Sequence, residues 1–319
     1  MCYSAQIKAD YGRFVRTFGA RIGLEEFTRL YWAREQGAAV SIPKAMDTMF
    51  MEPKTAGDQR IKEMIERFNR SQAAKLEEEL FKQRARLADA ERALIVKATK
   101  AATESKRIAT NKVEALRRRL DDLRRTEVVE RDARIFPGHF APVIVMENGE
   151  RVVKPMRYQC RLPDRPASYD KRFPGTYNAR RDNLEGFWKQ LFGLSHGLLV
   201  ATAFFENVSK AKLERRELNA GEKDENVVLR FEPRPVEDML VACLWSRWRG
   251  SGEPDLLSFA AITDEPPPEV AAAGHDRCII PIKPDNVDAW LRPEAENLAA
   301  QYLILDDRQR PYYEHRLAA

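Results

Sequence analysis

Cys2 stands directly behind the initiator methionine. Removal of Met1 leaves a residue with two nucleophiles on neighbouring atoms, a thiol and a free α-amine. A nucleophile of this kind needs an acid–base partner and polar groups that orient a reacting carbonyl. Three segments offer them: "YNARRD" with Asn178, "AFFENV" with Glu206 directly after an apolar run, and "GHDRCIIPI" with His275 and Arg277 ahead of another. Each candidate also has a plainer reading. Asn178 is equally a turn residue or helix cap, Glu206 a solvated strand-end carboxylate, His275 a loop histidine, and Cys2 a small buried residue opening a strand. The other cysteines, Cys160, Cys243 and Cys278, are widely spaced and form no CxxC, which argues against a zinc knuckle or a disulfide framework.

The elements that must position these residues divide sharply. From Asp58 to Phe136 there is neither glycine nor proline, with Gly57 and Pro137 just outside. The stretch is rich in strong helix formers. Leu80, Leu87, Leu94 and Ile108 follow a seven-residue spacing, and Val113, Leu116, Leu120 and Leu123 repeat at three and four. Apolar residues are confined to that stripe, the mark of a coiled coil, and threonine and serine replace leucine near Thr99–Thr110, where the chain is expected to fold back as an antiparallel hairpin. Residues 58–134 carry about 21 basic against about 15 acidic side chains, a net of roughly +6. The excess of the whole chain, +5 over 319 residues, therefore resides in this arm.

The flanks read as α+β. "FAPVIVMENGERVV" predicts a β-hairpin turning at Asn148-Gly149. Apolar runs at 196–208, 227–233, 239–248 and 256–263, bounded by turn residues, predict a mixed or antiparallel sheet. Residues 183–193 have helical spacing with Gly193 as C-cap, and residues 284–303 read as one or two short helices. The expected organisation is a domain made of residues 1–57 and 135–319, with the arm 58–134 inserted into it. No run of about 18 apolar residues predicts a membrane span, and the N-terminus lacks the layout of a secretory signal, so a cytoplasmic protein is expected.

Taken together and in order, "MCYS", "MRYQC" (156–160), "NARRD" (178–182), "AFFEN" (203–207) and "HDRCIIP" (275–281) resemble the SOS response-associated peptidase (SRAP) family, whose members capture abasic sites in single-stranded DNA. That family's motifs run MCGR, Arg-Trp-Gly, NARSE, Gly-aromatic-aromatic-Glu-Trp and His-x-Arg-Met-Pro. Here Tyr3-Ser4 replaces Gly-Arg, which removes a basic residue beside the nucleophile. Tyr158 and Asn207 replace tryptophans, Asp182 the glutamate and Cys278 the methionine. The resemblance implies a barrel-like mixed sheet with surrounding helices, no cofactor or metal, and association with the nucleoid when bound to DNA.

It also implies a chemistry. An abasic deoxyribose equilibrates with a ring-opened aldehyde. An α-amine of pKa about 7.7–8.0 is neutral in roughly a tenth or more of molecules at pH 7, over a hundredfold more than a lysine amine. Attack gives a Schiff base, and the β-thiol then closes on the imine carbon to form a thiazolidine. By the resemblance, His275 protonates the sugar ring oxygen, Glu206 moves protons between amine, hydroxyl and imine, and Asn178 holds the nucleophile or oxyanion. Arg157, Arg180, Arg181 and Arg277 become phosphate contacts, and Tyr158 a stacking face for a base. The implied enzyme is an abasic-site crosslinker with autopeptidase or lyase-like activity, the peptide bond at issue being the one after Met1. Two other readings stay open: an N-terminal-nucleophile amidohydrolase or peptidase using the Cys2 thiolate, and a scaffold that binds a protein partner or itself through the helical arm.

Overall fold

The computed structural model describes residues 3–214, 216–219, 221–250 and 252–318, so Cys2 lies outside the described residues. Among these, twelve strands form one mixed sheet: β1 (Ser4–Ile7), β2 (Arg21–Ile22), β3 (Arg134–Ile135), β4 (Phe140–Glu147), β5 (Glu150–Tyr158), β6 (Asn178–Arg180), β7 (His196–Ser209), β8 (Asn226–Arg234), β9 (Met239–Gly250), β10 (Glu253–Asp264), β11 (Cys278–Ile279) and β12 (Tyr312–Leu317). The helices are α1 (Tyr11–Arg16), α2 (Leu24–Glu35), α3 (Lys44–Thr48), the long α4 (Ala56–Val96) and α5 (Lys100–Arg124), then the short α6 (Tyr169–Arg172), α7 (Lys210–Leu213), α8 (Pro268–Ala272), α9 (Val287–Leu291) and α10 (Leu298–Asp306). The chain divides into two units, residues 1–30, 39–53 and 129–319 on one side, and residues 31–38 and 54–128 on the other.

In the first unit, β4 and β5 form the expected hairpin. Asn148 and Gly149 have φ of 51° and 83°, the positive values a two-residue primed turn requires. The register from Glu147–Glu150 to Phe140–Arg157 is unbroken. Val143, Ile144, Val145, Val152 and Val153 are buried, the near-continuous apolar pattern of strands covered on both faces. Lys154 is buried among them, and its ammonium is met by Glu26 at 2.9 Å and Glu147 at 2.5 Å. The four runs at 196–208, 227–233, 239–248 and 256–263 are the cores of β7, β8, β9 and β10.

Pairings run in a circuit, β10–β5–β4–β7–β9–β10. The result is the expected mixed sheet, its pairings forming a ring that is not a clear barrel. β5 and β10 meet in parallel at two register positions, Arg157–Ser258 and Tyr158–Phe259, before Gln159, at φ 132°, turns the chain away. Residues 183–193 also depart from expectation, forming successive turns in place of a regular α-helix. The Asn183 side chain accepts from Phe187 N–H at 3.1 Å, and the Trp188 N–H reaches back to the Asn183 carbonyl at 3.3 Å. A Cβ at Gly186 would sit 2.3 Å from Asn183 Oδ1, so the fold-over of that amide depends on glycine. Residues 284–303 do make two short helices, α9 and the start of α10, broken at Pro293.

The second unit is the helical hairpin. Thr55 opens α4 with a capping box, its hydroxyl accepting from Asp58 N–H while the Asp58 carboxylate accepts from Thr55 N–H. The reversal occupies residues 97–99, at the near edge of the expected break, and Thr99 caps α5. Leu76 and Leu80 pack against Val113 and Leu116. Arg124 pairs with Glu77 and Lys106 with Glu91 at 3.2 Å, which fixes the antiparallel register. Among the described residues no helix is long and apolar enough to cross a membrane.

Candidate functional site

The first strand lies near one end of the sheet order, with only the short β3 beyond it. β1 lies between β7 and β3: Ser4 pairs with Phe205 and Ala5 with Phe204 on one side, Ala5 with Ile135 and Gln6 with Arg134 on the other. All four β1 residues are buried. One step along that register from Ser4 and Phe205 stand Tyr3 and Glu206. Tyr3 is exposed, and its ring makes edge contacts with Phe136 at 5.7 Å and with Tyr177 at 6.4 Å.

Tyr177 leads directly into Asn178. β6 lies parallel to β10, with Asn178 opposite Ala261 and Arg180 opposite Thr263. β11 pairs with the same end of β10, placing Cys278 opposite Asp264. A short β10 segment thus carries both the Asn178 and the Arg277–Cys278 segments. Asn178 is 6% exposed, and neither its amide nitrogen nor its oxygen has a hydrogen-bond partner among the described residues. An unpaired buried amide costs about 1–3 kcal/mol, so the fold keeps a polar group there against its own stability.

Glu206 and His275 meet directly. His275 Nε2 lies 3.0 Å from Glu206 Oε2, with the carboxylate side chain fully buried and the imidazole 8% exposed. The loop that brings His275 to β7 follows α8 and turns at Gly274, whose φ of 94° suits glycine. His275 Nδ1 lies 2.9 Å from the Arg277 carbonyl and 3.3 Å from the Arg277 N–H. With a proton on Nε2, the ring donates to Glu206 and accepts from Arg277 N–H; with protons on both nitrogens, it donates at both ends. Either state gives a proton held between two groups in a water-poor site.

No other described histidine faces a carboxylate. His196 is buried between Trp290 and Phe192, its Nδ1 at 3.0 Å from the Trp290 carbonyl and its Nε2 accepting from Gly193 N–H at 2.9 Å. Burial pushes its pKa down to about 3, so it is neutral and structural. His139 is also pulled down by burial. The thiols of Cys160, Cys243 and Cys278 are buried, and burial raises them, Cys160 to about 12. None of these three is a nucleophile at neutral pH. Among the described residues no group of three or more His, Cys, Asp or Glu could hold a metal ion.

The expected DNA contacts divide. Tyr158 is buried, its ring stacked on Phe259 at 5.2 Å and against Tyr177 at 5.6 Å, so it offers no open face to a base. Arg157 is tied to Asp170 at 2.8 Å and to the Gln159 carbonyl. Arg181 is held by Asp306 at 2.5 Å. Arg180 is half exposed beside Asp182 at 2.6 Å, and Arg277 approaches the same carboxylate at 3.7 Å. The sequence reading missed Arg134, whose Nε donates to Ser4 Oγ at 3.0 Å. Its one linear signal is its place just ahead of Ile135-Phe136-Pro137-Gly138, where the charged arm gives way to the sheet.

The family model for SOS response associated peptidase (SRAP) matches residues 105–317, two thirds of the chain. The chain belongs to the SRAP family. SRAP proteins are tied to the SOS response and, at family level, to abasic-site DNA damage. The matched span contains Asn178, Glu206 and His275 and begins after Cys2. No curated protein matches the chain. Similar crystal structures include a Bordetella bronchiseptica protein (20% identical, covering 61% of this chain and 90% of that one, TM-score 0.45). Others are a Bacteroides thetaiotaomicron protein (12% identical, 59% and 78% covered, TM-score 0.47) and a phage-related protein from B. bronchiseptica (17% identical, 61% and 85% covered, TM-score 0.44).

Proposed function

We propose that this SRAP protein captures abasic sites in single-stranded DNA as a covalent thiazolidine through Cys2, after loss of Met1, and so shields the lesion. The observation that carries the reading is the buried Glu206–His275 pair, 3.0 Å apart, with the unpartnered Asn178 amide on a neighbouring segment. His275 delivers a proton to the deoxyribose ring oxygen and opens the sugar to its aldehyde. The α-amine adds to that carbon, and Glu206 carries protons through loss of water to the imine. The thiolate then forms the C–S bond while the imine nitrogen takes a proton, so the adduct differs from its reactants by one water. Asn178 supplies the hydrogen bonds that it lacks within the fold to the nucleophile or to the developing alkoxide. Met1 removal falls within the reach of methionine aminopeptidase, because cysteine is small; self-cleavage is the route the family name suggests.

On this reading residues 1–57 and 135–319 act as the catalytic domain, and the arm 58–134 is an accessory coiled coil for a protein partner or for self-association. Arg180 and Arg277 face phosphates, and Tyr3 takes the stacking role for which Tyr158 is too buried. The protein would be cytoplasmic and nucleoid-associated on DNA. The test is intact mass of Met1-free protein after incubation with single-stranded DNA bearing one abasic site. The expected product is an adduct of protein plus DNA minus one water, abolished by Cys2→Ser; no adduct with the processed protein overturns the proposal.

A further inference from the structure

Most arginines near the site are already committed to carboxylates. Arg134 is different. Its Nε is held by Ser4 Oγ at 3.0 Å, and its guanidinium carbon lies 3.8 Å from the centroid of the Phe205 ring and 4.9 Å from that of Phe136. Among the described residues no carboxylate pairs with it, and its two terminal nitrogens have no acceptor. The strand alternation explains why. Phe205 and Glu206 are consecutive in β7 and project to opposite faces, so the guanidinium stacked on Phe205 and the carboxylate lie on opposite faces of the sheet and do not neutralise each other.

We propose that Arg134 is an anion-binding side chain of this site, whose terminal N–H groups grip a phosphodiester of single-stranded DNA beside the segment leading into β1. The inference rests on the DNA-binding reading above. The ligand class follows from the geometry. A planar guanidinium held at Nε and stacked on two rings presents a preset fork, which suits the paired oxygens of a phosphate. The half-buried position weakens its hydration; burial pulls its pKa down while leaving it a cation at neutral pH. Ser4, standing where the family motif has arginine, thus serves as the acceptor that orients an arginine reaching it across 130 residues of sequence.

The test compares wild type, Arg134→Gln and Arg134→Lys on an unmodified single-stranded oligonucleotide, with affinity measured by anisotropy at several salt concentrations. Loss of one phosphate contact from a single strand reduces the salt slope by about 0.7. Arg134→Gln is expected to show that reduction with about tenfold weaker binding, while Arg134→Lys keeps the slope and loses less affinity. A merely structural role would leave the slope alone, and the lysine variant keeps the comparison valid if glutamine unsettles the fold. Unchanged slope and affinity in Arg134→Gln, with wild type still crosslinking abasic DNA, overturns the inference and leaves the functional reading intact. Wild type that neither binds nor crosslinks overturns both.

Discussion

Replacing Glu206 by glutamine removes a charge and, on the proposed function, a proton shuttle while keeping an oxygen to accept from His275 Nε2–H. The pair is 3.0 Å apart, with the carboxylate wholly buried and the imidazole nearly so, so solvent cannot readily stand in for either member. A positioned acid–base group is worth about 10²–10⁴ in rate, or about 2.7–5.4 kcal/mol of barrier at about 1.36 kcal/mol per tenfold. Truncation to alanine would add a structural penalty of about 3–5 kcal/mol from the broken buried pair; the glutamine isostere avoids most of it. The assay is single-turnover adduct formation with abasic single-stranded DNA, protein in excess, quenched in detergent and resolved by gel, alongside thermal melting and DNA anisotropy. Glu206→Gln should slow the adduct at least a hundredfold with near-normal melting and affinity. His275→Gln should do the same. The double variant should be no slower than the slower single one, because groups that pass one proton act as a unit. A Glu206→Gln rate within threefold of wild type, or fully multiplicative losses in the double variant, would refute the relay.

Asn178→Ala should cut adduct formation yet melt at the same or a higher temperature, since both amide atoms are unpartnered and buried; a clear loss of melting temperature would show that the amide supports the fold instead. His196 should contribute to acid lability. Its pKa falls to about 3 from an ordinary 6.5 because burial disfavours the cation. Between those values the unfolded chain binds the proton and the folded one does not, so stability is complete above pH 6.5 and is lost as pH falls. The loss approaches about 1.4 kcal/mol per pH unit, or about 2–3 kcal/mol by pH 4.5. Urea unfolding at pH 7, 6, 5 and 4.5 should show a shallower acid limb in His196→Asn; parallel limbs would contradict this.

Much of the architecture was legible because it rests on local signals. The Asn148-Gly149 turn, the apolar runs of β7 to β10 and the glycine-free helical arm each need only neighbouring residues to be read. The stretch 183–193 was misread because its apolar spacing hides a side chain–backbone competition at Asn183 that only Gly186 permits. In the arm, the heptad leucines were visible, but Leu80 joins the packed cluster while Leu87 and Leu94 are only partly buried. For the site, the residue types at Asn178, Glu206 and His275 pointed to acid–base chemistry. The contact between Glu206 and His275 depends on how β7 and the loop after α8 converge, which no local pattern encodes. The arginines show the limit most clearly. Arg157 and Arg181 look like free cations in sequence, yet Asp170 and Asp306 occupy them, the latter 125 residues away. Arg134, counted in sequence with a charged arm, hydrogen-bonds Ser4 and has no carboxylate partner among the described residues.

The placement of β1 between two later strands has a consequence for the order of events during synthesis. Ser4 emerges from the ribosome first, but its partners are Arg134 and Phe205. At about 5–20 residues per second, the strand on which β1 will close is about 10–40 s away. For that interval β1, whose four residues are buried in the finished sheet, has no strand to pair with. Synthesis of β1 and its burial are thus separated in time by the topology itself.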